Sequence, residues 1–257
     1  MKQICSNHSL SALLRQQLKP GVVTNAALSA SMYQEAMETG CLYAHSWSGG
    51  LLLLQLHRDF QTMHFYLQRD AALPNWTPEL PTVLEVAARP QDVALLAAMG
   101  AWKERGFQFQ FTRQRMTRQP GAVPELPRSP VLVGTREDLP SVLALLSSCF
   151  DPKTGCLPSE HALEKDLSQG QVLLIGKGQA VLQQTPVPGG TELRHLAVTP
   201  ALRRQGLAQS LVSAYLFREG GRISRVWVRK DNDAAKMLYQ KNGYLPDCWT
   251  SQVLLLD

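Results

Sequence analysis

Two periodicities run along the chain. From residue 131 onward, short apolar or alternating runs predict strands at Val131–Thr135, Val172–Ile175, Gln179–Gln184, Thr191–Val198, Ile223–Val228 and Trp249–Leu256. Gly176-Lys177-Gly178 joins the second and third as a hairpin. Helical spacing is clearest at Leu207–Phe217, where 207, 208, 211, 212, 215 and 216 are apolar and Gly220-Gly221 follows. Further helices are predicted from Asp138 to Cys149, with Pro140 in the first turn, over Pro158–Ser168, and over Asn232–Lys241. The order β-α-α-β-β-β-α-β-α-β predicts an α/β domain (α+β, with a mixed sheet).

The first half carries the same kinds of signal with weaker punctuation. Helices are predicted at Ser9–Leu18, Ala26–Glu38 and Asp92–Lys103, and strands at Cys41–Trp47, Leu51–Leu56, Thr62–Leu67, Val83–Val86 and Phe107–Met116. The stretch LPNWTPELP (73–81) reads as a loop, because proline lacks an amide donor and disfavours helix before it. RQPGAVPELPRSP (118–130) holds Pro120, Pro124, Pro127 and Pro130, a linker composition. It sets expected domains at 1–118 and 131–257, joined by 119–130.

TVLEVAARPQDVALLAAMGAWKERGFQFQF also aligns with ISRVWVRKDNDAAKMLYQKNGYLPDCW: strand, turn, helix, then aromatic-x-x-x-Gly-aromatic. Trp102…Gly106-Phe107 matches Tyr239…Gly243-Tyr244. Two copies of one fold, the first degenerate, explain this; so does a helix-to-strand ending that two unrelated α/β segments share.

Composition narrows the class. In 257 residues, 44% are hydrophobic and 18% charged, too apolar for a disordered chain. The net charge of +5 is level: 12 basic less 9 acidic gives +3 in residues 1–128, and 14 less 12 gives +2 in 129–257. No basic arm or stripe marks a nucleic-acid binder. Five cysteines without a C-x-x-C pair predict neither a disulfide framework nor a zinc ribbon, and no metal site is expected. The start has no unbroken apolar core of a signal peptide, and no run approaches the roughly 20 residues of a spanning helix. A cytoplasmic protein with no membrane partner is the expectation.

The sharpest chemistry lies in LRHLAVTPALRRQGLAQSLVSAYLF (193–217). A strand ends, a turn carries Arg203, Arg204 and Gly206, and a helix begins near Leu207. A helix N-terminus presents unpaired N–H groups and a positive partial charge, and a glycine there lets a large anion approach, so the turn suits a diphosphate. It is neither a P-loop nor a Rossmann turn, since Gly-Lys-Ser/Thr and Gly-x-Gly-x-x-Gly are absent.

Arg203-Arg204-Gln205-Gly206-Leu207-Ala208 resembles the Arg/Gln-x-x-Gly-x-Gly/Ala loop of the GNAT superfamily, the N-acetyltransferases that use acetyl-CoA. Asn232, Ala235, Leu238, Tyr239, Gly243 and Tyr244 resemble that family's second motif, in the same order and across one strand. The resemblance covers about residues 130–257. It implies two GNAT-like domains in tandem, a catalytic second one and a non-catalytic first, since 73–81 replaces the pyrophosphate loop and Trp102 the tyrosine.

The resemblance further implies that Leu196, Ala197 and Val198 offer backbone groups to pantetheine. It places the pyrophosphate on amides from Arg203 to Ala208, and Asn232 on the cofactor's arm. Tyr239 would face the thioester sulfur, a phenol able to stabilise a departing thiolate. Glu192 matches the glutamate base of some protein-lysine members, although a strand-end carboxylate paired to Arg194 would look the same. Period-two counting puts Glu192 on one strand face with Arg194 and Leu196, and His195, a rival base, on the other. Asp151-Pro-Lys-Thr-Gly-Cys156 falls where the family builds its acceptor site, and reads equally well as a surface turn.

The implied activity is acetyl transfer from acetyl-CoA to a primary amine, with a small molecule favoured over a protein, by a monomer or homodimer. The alternative is a CoA-binding sensor without turnover.

Overall fold

The computed structural model describes residues 1–17, 20–26, 30–122 and 126–257. The predicted helix end at Leu18, positions 27–29 of the next predicted helix, and Pro124 fall outside them. The chain packs as two compact units, Met1–Thr112 with Trp249–Asp257, and Arg113–Cys248. These bounds differ from the expected ones because the two long strands that end the aligned segments are each divided between the units. Composition marks the proline-rich loop after the first of these strands, but hydrogen bonding decides which strands it joins.

The second unit begins within β7 (Gln108–Arg118), whose Arg113–Arg118 pairs antiparallel with β12 (Ser224–Arg229). Its other strands are β8 (Leu132–Val133), β9 (Val172–Ile175), β10 (Ala180–Val187) and β11 (Gly190–Val198), in the sheet order β8-β9-β10-β11-β12-β7. Helices α4 (Leu139–Cys149) and α5 (Glu160–Ser168) cover one face, and α6 (Leu207–Glu219) and α7 (Asp233–Lys241) the other. The sheet is mixed, because β11 and β12 run parallel while the rest are antiparallel.

Local chemistry accounts for the helix ends. Ser159 Oγ accepts the Ala162 amide at 3.0 Å and caps α5. The Asp138 carboxylate, predicted to cap forward, instead reaches back to the Thr135 amide at 2.9 Å, closing a 3₁₀ turn over Arg136–Asp138 before α4. Asn232 Oδ1 accepts the Ala235 amide at 3.0 Å, with Asp233 in the first turn of α7 and Lys241 in the last, charges that complement the helix dipole. On the α6/α7 face Leu211, Val212, Tyr215 and Leu182 are fully buried, each aliphatic side chain contributing about 1.5–3 kcal/mol.

Beneath that core runs a chain of hydroxyls: Thr191 Oγ1 to Tyr215 at 2.6 Å, Tyr215 to Ser224 Oγ at 2.7 Å, and Ser224 Oγ to Tyr244 at 2.6 Å. It ties α6 to the bonded stretch of β11 and β12, where Thr191 is opposite Ser224.

The first unit holds α1 (Asn7–Gln17), α2 (Ala30–Glu38) and α3 (Val93–Glu104). Its strands are β1 (Lys2–Gln3), β2 (Val23–Thr24), β3 (Leu42–Trp47), β4 (Gly50–Leu56), β5 (Gln61–Leu67), β6 (Thr82–Ala88) and the end of β13 (Leu245–Leu256). They run in the order β1-β3-β4-β5-β6-β13. β5 and β6, the parallel neighbours, are paired only at Gln61–Thr82 and Thr62–Val83. Beyond that point β2 pairs with β5, Val23 opposite Leu67 and Thr24 opposite Tyr66. Asn25 then bridges the parted strands, donating to Met63 O at 3.1 Å and Glu85 O at 2.9 Å and accepting the Phe65 amide at 2.8 Å. Residues 68–81, between β5 and β6, form no helix. The mixed α/β fold predicted from the sequence is the fold observed.

Candidate active site

In the second unit β11 and β12 part as well. Their parallel register stops at Leu193–Val226, while β11 continues alongside β10 to Val198. Leu196, Ala197 and Val198 therefore lie on a stretch that has a strand on one side only. Ala197 is buried toward α4 and α5, and Leu196 and Val198 pack toward α6 and α7.

The turn after β11 opens as a 3₁₀ turn over Pro200–Leu202. The Arg203 amide closes it on Pro200 O at 3.3 Å, so the run of available amides starts one residue later than the motif places it. From Arg204 to Gln209, among the described residues, no backbone amide has a hydrogen-bond acceptor. Arg204 (φ 63°) and Gly206 (φ 79°) both adopt the left-handed region that turns successive amides to one side. A Cβ at Gly206 would meet no atom within 4 Å, so the glycine is required by its backbone angle, and the space in front of it is left open. Arg203 braces the turn, its Nε donating to Val198 O at 3.2 Å.

Tyr239 projects from α7 with 4% exposure, its ring edge-on to Tyr244 with centroids 5.5 Å apart. Its hydroxyl has no hydrogen-bond partner among the described residues. Burial, helped by Tyr215, pushes its acidity well below that of an ordinary phenol, so it is protonated at neutral pH. Asn232 has its side-chain oxygen committed to capping α7, which leaves only its amide N–H groups to donate.

Glu192 is where the structure corrects the strand counting. Gln183 is opposite His195 but Gln184 is opposite Leu193, so Arg194 is a bulge. A bulge inserts one residue and inverts the alternation beyond it. Leu193 packs toward α6, as do Leu196 and Val198 on the far side of the bulge, and Ala197 packs toward α4. Glu192 thus shares its face with His195, not with Leu196. Its carboxylate accepts from Arg194 at 3.2 Å, the strand-end ion pair that is its plain structural role.

His195 is 4% exposed and ordered on both sides. Its Nδ1 faces Gln183 Oε1 at 2.7 Å, and the Gln183 amide donates to Asp166 Oδ2 at 2.6 Å, which fixes the amide's orientation. Its Nε2 faces Gly155 O at 3.0 Å, and Phe150 packs edge-on against the ring at 5.0 Å. Both ring nitrogens face oxygens, which an imidazolium satisfies twice and a neutral ring once. Burial nevertheless dominates, and with Arg194 and Arg113 nearby it pulls the imidazole down to about 4. At neutral pH this ring is neutral and held in place, unsuited to be a mobile base.

The unfolded chain binds a proton at this histidine between about 4 and 6.5 that the native ring does not. The contribution is whole above that window. Stability is expected to fall as pH drops through it, by about 1.4 kcal/mol per pH unit from this residue. Denaturant unfolding across the window checks this, and a His195→Gln protein with an equally steep decline would contradict it.

Gly155 O belongs to the Asp151–Cys156 turn between α4 and α5. The Asp151 carboxylate accepts from the amides of Lys153 at 3.1 Å and Thr154 at 2.8 Å, and the Arg113 guanidinium donates to Thr154 O. A side chain at Gly155 would come within 2.5 Å of Asp151 O, so only glycine permits the turn to close. Nothing in the sequence connects Arg113 or His195 with this turn, because residues 40 and 41 positions apart carry no local signal of their contact.

Among the described residues no group of three or more His, Cys, Asp or Glu is placed to hold a metal ion, and no helix is long and apolar enough to cross a membrane. All five cysteines are free.

Residues 162–246 match the family model of the acetyltransferase (GNAT) domain. No curated protein matches the chain. Among solved structures, a GCN5-related N-acetyltransferase from Sphaerobacter thermophilus superposes with a TM-score of 0.59 at 14% identity, covering 93% of this chain and 96% of that one. An acetyltransferase of the GNAT family from Colwellia psychrerythraea covers 99% of each chain with a TM-score of 0.56 at 13% identity. A Drosophila protein covers 84% of this chain and 78% of its own with a TM-score of 0.56 at 20% identity. At these identities the superpositions speak for the fold, and the matched domain supports acyl transfer in general. The parted strands, the open amide turn and the helix that follows all fall within residues 162–246, the stretch that matches the acetyltransferase (GNAT) domain.

Proposed function

We propose that the second unit transfers an acetyl group from acetyl-CoA to a primary amine. The observation that carries this reading is the row of unengaged amides from Arg204 to Gln209, set directly beyond a strand edge that has lost its neighbour. Such amides are an anion site sized for a diphosphate, and the one-sided edge of β11 offers backbone groups to an extended arm. Bound acetyl-CoA supplies the activated thioester. The chain's own residues do the rest. Arg204 to Gln209 hold the diphosphate, with Arg203 keeping the turn in shape. Leu196–Val198 orient the arm, Asn232 donates to it, and the Tyr239 hydroxyl donates toward the sulfur. Glu192, engaged by Arg194, orders the approaching amine and accepts its proton directly or through water.

The first unit is read as non-catalytic. Its own β2 and Asn25 fill the gap between β5 and β6, the helix that would follow β5 is absent over 68–81, and Trp102 replaces the tyrosine. Titration calorimetry with acetyl-CoA is expected to give one site per chain. Two equivalent sites would refute the assignment of silence to the first unit.

The test of the whole reading is a panel of primary amines with acetyl-CoA, followed by mass spectrometry for an increase of one acetyl group. A CoA sensor without turnover is the rival, favoured by the single observation that Glu192 is held by a guanidinium. Tight CoA binding with no acetylated product across the panel would decide for it. No binding of CoA or acetyl-CoA by folded protein would overturn both.

A further inference from the structure

The Asp151–Cys156 turn is held from both sides of the place where β11 and β12 part. From β11, His195 Nε2 faces Gly155 O at 3.0 Å, beyond Leu193, the last β11 residue paired with β12. From β7, the Arg113 guanidinium donates to Thr154 O, and in the sheet β12 lies between β7 and β11. On β7 Met116 points into the α6/α7 core, so Arg113 lies on the opposite face, with Glu192 and His195. Arg113 is also near enough to His195 to act on the charge of its ring. Thr154 and Gly155 therefore lie across the parting, on the face that Glu192 occupies.

The strand is irregular at the point that aims His195. With unbroken alternation His195 would share the face of Leu193 and enter the α6/α7 core. The bulge at Arg194 turns it to the α4/α5 side, where Ala197 also packs. Behind the ring runs a polar chain: Asp166 Oδ2 accepts the Gln183 amide at 2.6 Å, and Gln183 Oε1 faces His195 Nδ1 at 2.7 Å. Gln183 and His195 are each 4% exposed. Apolar side chains would fill this space without the desolvation that buried polar groups cost. They would not fix one atom in place. Here the chain orients the ring, Phe150 packs against it with centroids 5.0 Å apart, and the ring fixes the Gly155 carbonyl. The turn is itself closed by the Asp151 carboxylate and the tight approach at Gly155, so fastening two of its carbonyls fastens the whole of it.

We infer that His195 is a positioning residue for the acceptor amine. Backed by Gln183 and Asp166, and with Arg113 on the far side of the parting, it holds the Asp151–Cys156 turn as the fixed wall against which the amine is placed. His195 touches neither the amine nor acetyl-CoA and acts through the turn. The inference rests on the acyl-transfer reading above and adds to it a residue that governs how the acceptor is bound.

Two variants displace the turn by different routes. His195→Phe keeps an aromatic ring against Phe150 and removes both ring nitrogens. Gly155→Ala leaves the histidine intact and sets a methyl group 2.5 Å from Asp151 O. Each is assayed with saturating acetyl-CoA and the fastest amine of the panel above, beside acetyl-CoA calorimetry on the same preparation. In both, the amine KM is expected to rise at least about tenfold, with kcat within about threefold of the parent and the acetyl-CoA dissociation constant within about twofold. Combined, they are expected to raise KM by no more than about twofold beyond the larger single effect, since both act on one turn. His195→Gln, which restores a nitrogen donor, is expected to recover most of the loss. If His195→Phe does not fold, Gln183→Leu, which removes the partner that orients the ring, takes its place with the same expectations. An amine KM that rises less than about threefold in the relay variant would overturn the inference. So would effects that multiply in the double variant, or equal losses of amine and acetyl-CoA binding, the mark of general damage to the fold. Acetylation by the parent with an unmoved KM in the variants sinks this inference alone. A parent that acetylates no amine sinks acyl transfer and this inference together.

Discussion

Replacing Tyr239 with phenylalanine is expected to lower kcat about 10²–10³-fold while leaving the dissociation constant of acetyl-CoA unchanged. The magnitude comes from the kind of help the phenol can give. A free thiol has a pKa near 8.5 and a phenol near 10, and burial raises Tyr239 further, so full proton transfer to the thiolate is uphill. The hydroxyl stabilises the departing sulfur as a hydrogen-bond donor already in place. Loss of one preorganised donor costs a rate factor of about 10²–10³. The hydroxyl has no protein partner among the described residues, so its removal leaves no acceptor stranded, and the melting temperature should barely move. Steady-state kinetics at saturating amine, with calorimetry in parallel, measures both halves. A kcat within about twofold of the parent would remove Tyr239 from the chemistry.

Gly206→Val is expected to weaken acetyl-CoA binding about 100-fold, or about 2.7 kcal/mol. A β-branched residue resists the left-handed region, so the turn either relaxes away from φ 79° and scatters its amides, or retains its shape and places two methyl groups in front of them. The built Cβ meets no protein atom within 4 Å, so folding loses little beyond the cost of the backbone angle, about 1–2 kcal/mol. The signature is a large loss of affinity with a small loss of stability. Equal losses of both would mark Gly206 as a folding requirement, and unchanged affinity would mean that the diphosphate lies elsewhere. Calorimetry and denaturant unfolding on the same protein read the two quantities.

Most of this architecture is legible in residue order. The helical spacing of 207–217 and the run of 191–198, stopped by Pro200, place α6 and β11 within two residues of their observed ends. That success has a local cause. Side-chain periodicity and the chemistry of caps and glycines act within one or two turns, and the turn at Gly206 with the apolar spacing after it marks the start of α6 from the letters. Arg203 to Ala208, Leu196 to Val198 and Tyr239 stand out by motif alone, and the fold brings the turn and the strand edge together within one matched domain.

The rest is settled by contacts far apart in sequence. Period-two counting along 191–198 puts Glu192 with Leu196, yet the bulge at Arg194 inverts the faces, because β10 and β11 bond on both sides of that residue and skip it. Glu192 therefore changes face, and with it the side from which an amine is read to approach. His195 reads as a rival base by its residue type, and is a buried post only because Gln183, Asp166 and Gly155 converge on its ring. Val23–Asn25 carries no strand signal, being two residues and a side chain, but the unpaired edge of β5 recruits it. A sequence determines what each segment prefers; register and the filling of a gap are chosen by which hydrogen-bonding groups would otherwise be left bare.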